Sequence, residues 1–152
     1  MSTLLDTNIL TRLVTPGQPI HQMALDAVAA LRLRNEPLRI VPQNLYEFWV
    51  VATRPATQNG LGLTGAQTDA EIGRFISWFA VLSDDPRILP QWRQLVVRHQ
   101  VIGKNGHDAR LVAAMIVHGI DRLLTFNKPD FARYQQIIVI SPQDVVGSPS
   151  VP

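Results

Sequence analysis

Cysteine is absent from the 152 residues, which excludes disulfides, thiolate metal ligands and thiol catalysis. Lysine is scarce: Lys104 and Lys128 are the only two, and arginine supplies the rest of the 14 basic side chains. Histidine occurs at His21, His99, His107 and His118 but never in an HExxH spacing, so a zinc-hydrolase reading is weak. No GxxxxGK[ST] phosphate loop is present. The nearest segment, GKNG at 103–106, is expected to be a flexible loop. No apolar run is long enough to cross a bilayer. The opening MSTLLDTNILTRLV has no basic start and is interrupted by Asp6 and Asn8. No cleavable leader and no membrane association are therefore expected, and the expected compartment is the cytoplasm.

What is present describes a packed globule. Hydrophobic residues make up 46% and charged residues 17%, a balance that can bury a core without staples. One domain over residues 1–145 is expected, followed by a flexible tail at 146–152. The net charge is only +2, yet the pI is about 9.5 because the cations are mostly arginine. Arginine suits bidentate phosphate contact, so a polyanionic partner fits this composition, as does an ordinary solvated surface.

Strand and helix patterns alternate along the chain. Short apolar runs at Thr3–Leu5, Leu38–Val41, Arg122–Phe126 and Ile137–Ile140 read as strands. Helices are expected from the DTN motif through Leu13 and over His21–Arg34. A third opens at Pro42 and carries Glu47 to Ala52, and a fourth runs from Thr64 with Ile72, Phe75, Ile76, Phe79 and Leu82 at helical spacing. Two more open at Pro90 and His107. Gly119 is placed to end the last of these. A short helical turn is expected at Pro129–Ala132. The alternation predicts an α/β fold with a mostly parallel central sheet of four to five strands flanked by helices.

Four acids fall where such a chain turns toward one sheet edge: Asp6 ends the first strand, Glu47 rides the helix after the second, Asp108 starts a helix, and Asp130 follows LLTF. In open α/β sheets that edge is where ligands bind. Each acid also has a plain reading. Asp6 can cap its helix, Asp108 can complement a helix dipole, Asp130 can cap a turn, and Glu47 can face solvent. Glu47 is the hardest to dismiss, because Leu45, Tyr46, Phe48, Trp49, Val50 and Val51 surround it. Read jointly, the four suggest carboxylates gathered for hard divalent cations, which prefer oxygen ligands.

The segments LLDTNIL, NLYEFW and HDARLVAAM…GIDRLLTFNKPDF resemble the PIN domain, and within it the small VapC-type toxins. The likeness runs from Leu4 to about Ile140. It implies a PIN-like fold and an endoribonuclease dependent on one or two Mg²⁺ or Mn²⁺ ions, acting as the toxin of a type II toxin–antitoxin pair. It implies Asp6, Glu47 and Asp108 as core metal-binding acids with Asp130 as the fourth, and Thr125 and Asn127 as the polar pair orienting the site. Some relatives carry an acid where this chain has Asn127, which would leave that side one charge weaker. RNA, a cognate antitoxin and a second copy of the chain are the implied partners. Lys104, Arg110 and Lys128, near the acidic motifs, are candidates for RNA phosphate contacts.

Two other readings stand beside this one. An inactive PIN-like module that binds RNA or protein has Asn127 in its favour. A phosphoacceptor role for Asp6 would need a second acid two residues on, where Asn8 stands, or an acidic pair before the acceptor, which is missing. The aromatic cluster Tyr46, Phe48, Trp49, Phe75, Trp78 and Phe79 is expected to be core, with any exposed part available to a partner.

Overall fold

The computed structural model describes residues 1–147. Five parallel strands, β1 (Thr3–Leu5), β2 (Leu38–Ile40), β3 (Ala80–Val81), β4 (Arg122–Leu124) and β5 (Ile138–Ile140), form one sheet in the order β3-β2-β1-β4-β5. Among the described residues seven α-helices flank it: α1 (Thr7–Leu13), α2 (Pro19–Leu33), α3 (Pro42–Thr53), α4 (Gly65–Trp78), α5 (Ile88–Arg98), α6 (Asn105–His118) and α7 (Pro142–Val146). The α/β architecture expected from the alternating pattern is what forms, and the sheet is wholly parallel. Among the described residues no helix is long and apolar enough to cross a membrane.

The sheet divides two cores. Successive strand side chains point to opposite faces, so Leu4 and Leu123 pack with α5 and α6, while Leu5 and Leu124 pack with the layer holding α1 to α4 and α7. A central parallel strand is covered on both faces, which is why TLL is entirely buried and shows no polar alternation. Phe48, Phe75 and Phe79 form the aromatic centre of the second core, with Phe48 and Phe75 edge to face at 5.0 Å. Replacing Phe75 by Ala is expected to cost about 3–5 kcal/mol of stability, read as a lower denaturation midpoint at unchanged m-value. Tyr46, Trp49 and Trp78 lie on the surface instead, so the aromatic cluster is half core and half exposed.

Local chemistry sets most boundaries. Pro42 opens α3, and Asn44 accepts the Val41 N–H through Oδ1 at 2.8 Å. Thr64 and Gln67 form a reciprocal capping box at the start of α4, and Ser141 and Asp144 form another at α7. Gly119 ends α6 at φ +69, with nothing within 4 Å of where a Cβ would stand, so its role there is backbone freedom alone.

Several boundaries differ from the sequence reading. The fourth helix stops at Trp78, because the chain must extend at Ala80 and Val81 to pair with β2 as the edge strand β3. The fifth begins at Ile88, two residues before Pro90. Asn105 and Gly106 of GKNG are already helical, and Trp92 Nε1 donates to the Gly106 carbonyl at 2.8 Å, so half of that loop is tied down. The boundary expected at residue 145 falls inside α7, and residues 148–152 of the expected tail lie outside the described residues.

Candidate active site

Asp6 leaves β1 and caps α1, which places its carboxylate at the carboxyl edge of the central strand. Oδ1 accepts the Thr7 N–H at 2.8 Å. Oδ2 accepts the Thr125 hydroxyl at 2.7 Å and Asn8 Nδ2 at 3.3 Å. The residue is only 8% exposed. Burial pushes its pKa up from 3.8 to about 6. The bonds from Thr125 and Thr7 hold it down, and the nearby Glu47 and Asp130 charges raise it further.

Thr125 reaches Asp6 from the end of β4, the neighbouring strand, across 119 positions of sequence. Its hydroxyl also accepts from Asn8 Nδ2 at 3.2 Å and from the Asn127 N–H at 3.0 Å. Thr125→Val removes a donor from the Asp6 carboxylate. The expected result is an Asp6 pKa above about 6 in a ¹³C NMR titration, and a stability loss of roughly 1.5–3 kcal/mol where Asp6 is ionised. An unmoved pKa would show that the hydroxyl does not govern that charge.

Glu47, half-buried on α3, accepts the Thr7 hydroxyl at 2.9 Å, with Gln43 Nε2 at 3.5 Å. Asp108 occupies the first turn of α6. Its pKa is pushed up to about 7, first by burial and then by Asp6, Asp130 and Glu47, with Lys104 opposing. Asp130 is exposed on the short 3-10 turn Lys128–Phe131, and its charge reaches both Asp6 and Asp108. All four acids therefore share one electrostatic neighbourhood, drawn from α1, α3, α6 and the turn after β4.

Asn127 is exposed, and it serves Thr125 through its backbone N–H. The side chain bridging the site is Asn8. It donates to Asp6 and Thr125 while its Oδ1 accepts the Phe126 N–H at 3.3 Å, fastening the start of α1 to the end of β4. Asn44 is a second unforeseen support. Fully buried, it donates to the Leu5 carbonyl at 3.1 Å and to the Thr7 hydroxyl at 3.2 Å, which positions the donor to Glu47.

Two of the three cations expected to meet phosphate have internal partners. Arg110 donates to Gln43 Oε1 at 2.9 Å and pairs with Asp84 at 3.1 Å. Lys128 pairs with Asp144 of α7 at 2.8 Å. Lys104 is exposed just before α6, in the field of Asp108. Beside the acids opens a cleft of about 580 Å³ bordered by Tyr46, Glu47, Arg54, His107 and Arg110, with apolar walls from α3.

The charged donors at this edge are carboxylates, which suits hard divalent cations such as Mg²⁺ or Mn²⁺. As the side chains stand, no three His, Cys, Asp or Glu among the described residues close on one point tightly enough to hold an ion.

Fold and site together define an α/β domain that gathers carboxylates at the carboxyl edge of a parallel sheet. The family model of the PIN domain matches residues 3–136, and the chain belongs to that family. Solved structures share the fold at low identity. VapBC2 from Rickettsia felis, bound to a DNA fragment from its promoter, is 16% identical with a TM-score of 0.68, over 93% of this chain and 98% of that one. VapBC-1 from nontypeable Haemophilus influenzae is 18% identical at 0.66, over 94% and 99%. VapC20 from Mycobacterium tuberculosis, described as a sarcin-ricin loop cleaving toxin, is 18% identical at 0.60, over 90% and 98%. No curated protein matches the sequence.

Proposed function

We infer that the protein is a metal-dependent endoribonuclease and the toxin of a type II toxin–antitoxin pair. The observation that carries this reading is the convergence of Asp6, Glu47, Asp108 and Asp130 on one edge, where burial and mutual repulsion push Asp6 and Asp108 to about 6 and 7. Carboxylates so placed are relieved by binding cations. Asp6 and Asp108 are the principal candidate ligands for one or two Mg²⁺ or Mn²⁺ ions, with Glu47 and Asp130 completing the set. When bound, such an ion polarises the scissile phosphate and makes water nucleophilic near neutral pH.

The protein's own residues orient and screen. Thr7, Asn8 and Thr125 fix the Asp6 carboxylate, and Asn44 holds the Thr7 hydroxyl that fixes Glu47. Asp108 keeps a proton up to about pH 7 and releases it when positive charge arrives. Tyr46, 64% exposed at the rim of the cleft, offers a face on which an unpaired base can stack, and Arg54 offers a phosphate contact. The VapBC complexes among the structural neighbours support an antitoxin partner for this chain. A homodimer in the cytoplasm completes the proposal.

The test is direct. Purified protein with Mg²⁺ or Mn²⁺ is expected to cut a labelled structured RNA, and EDTA is expected to stop it. The rival reading, a non-cutting PIN-like module, draws support from carboxylates that do not close on an ion as they stand. Folded protein that binds RNA but neither cuts it nor takes up Mn²⁺ by calorimetry would establish that rival.

A further inference from the structure

A second polar cavity, of about 420 Å³, lies where α5 ends against the segment leading into β5. It is bordered by Arg98, His99, Arg133, Gln135 and Gln136, with no carboxylate among them. Neither arginine has an ion-pair partner among the described residues, where the paired arginines are Arg74, Arg87, Arg110 and Arg122. His99 Nε2 is buried with no hydrogen-bond partner. A buried ring nitrogen without a partner is uncommon in a folded chain.

Arg98 taken alone has a simpler explanation, because the last turn of a helix attracts cations. That account does not reach Arg133, which comes from a different segment, nor the unpaired ring nitrogen. The Tyr134 ring packs edge-on against His99 at 5.0 Å, and its phenol lies in the fields of both Arg133 and Asp108.

We propose that Arg98, Arg133 and His99 form an anion subsite that holds a backbone phosphate of the RNA strand, to one side of the phosphate cut at the acids. The two guanidiniums supply charge and bidentate geometry, the His99 ring lines the cavity between them and the core, and the two glutamines supply neutral donors. This rests on the endoribonuclease reading and adds to it where the strand lies. Substrate held by cations away from the carboxylates keeps its affinity without placing a fixed positive charge among them.

The test compares Arg98→Gln/Arg133→Gln with the unaltered protein, using fluorescence anisotropy on labelled single-stranded RNA in EDTA across a salt series. Removing two phosphate contacts is expected to weaken binding about tenfold and to flatten the slope of log K against log salt by about 1.4. Arg98→Lys/Arg133→Lys is expected to recover most of the slope. Arg74→Gln, which removes one charge on α4, is expected to leave both quantities where they were.

Equal affinity and slope in the double glutamine variant, with RNA still cut by the unaltered protein, overturns the subsite and leaves the nuclease standing. A change in Arg74→Gln half as large as that of the double variant, or larger, also overturns it, as an effect of net charge alone. An unaltered protein that neither binds nor cuts RNA overturns both. NMR of the His99 ring separates the sources of phosphate. Movement with RNA at micromolar concentration, and not with millimolar inorganic phosphate, supports the strand. Saturation by inorganic phosphate without competition against RNA overturns the assignment.

Discussion

Asp6→Asn and Asp108→Asn are each expected to lower RNA cleavage by roughly 10³-fold or more, beyond the roughly 10–100-fold typical of losing a residue that only supports a ligand. The larger effect follows from where these two stand. They are the acids whose protonation is shifted by the cluster, so their charge is what the site concentrates. Asn keeps the size of Asp, and at position 6 it keeps an oxygen able to cap α1, and a circular dichroism melt of each variant separates loss of activity from unfolding. Asp108→Asn carries a second signature. It removes a charge opposed by burial and by three other acids, so without divalent ions at pH 8 it should melt a few degrees higher than the unaltered protein. A variant that is both more stable and inactive marks a residue kept for chemistry. Full activity in both variants would remove the acidic edge as the site of reaction.

The second large effect is a fall in stability with rising pH when divalent ions are absent. Asp6 and Asp108 bind their protons more tightly in the folded chain, at about 6 and 7, than at the ordinary 3.8. Between about pH 4 and 7 the folded state therefore holds more protons than the unfolded state, and its stability declines through that window. For buried Asp6 the span from 3.8 to about 6 amounts to about 3 kcal/mol. Asp108 adds in the same direction, reduced by its contact with solvent. Melting followed by circular dichroism in EDTA from pH 4.5 to 8 should record the drop. Adding Mn²⁺ at about 100 times its Kd should return about 2.7 kcal/mol if the ion binds only the folded form. Stability that rises over this range, or that ignores Mn²⁺, would show that the acids are neither strained nor relieved by cations.

Much of this site was legible in the sequence because it depends on local grammar. Asp6 had to end a buried strand and cap a helix, Pro42 had to open the helix carrying Glu47, and Gly119 had to close the helix begun near Asp108. Where local grammar misled, a tertiary demand had overridden it. The apolar spacing of Phe75, Phe79 and Leu82 continues a helix on paper, yet pairing with β2 extends the chain after Trp78. The short α7 carried its own signal, a Ser141–Asp144 capping box behind Pro142, which is easily lost near the end of the described chain.

The supporting hydrogen bonds were not legible at all. Asn8 meets Thr125 across 117 positions and Asn44 meets Thr7 across 37, and no spacing rule reports such pairs. The same holds for Arg110, which looked free for phosphate until Gln43 and Asp84 were seen to occupy it.

The strand order has a consequence for synthesis. β1 is made before the other four strands of this sheet and is its central strand, and one of its two neighbours, β4, begins at Arg122. Until β4 has been made, then, Leu4 and Leu5 wait without one side of their hydrogen-bond ladder, and Asp6 waits without the hydroxyl of Thr125. Contacts this distant in sequence form late and slowly. A nascent chain that has not yet reached Thr125 lacks the pairing that assembles the acidic edge, so the site cannot form before β4 is in place.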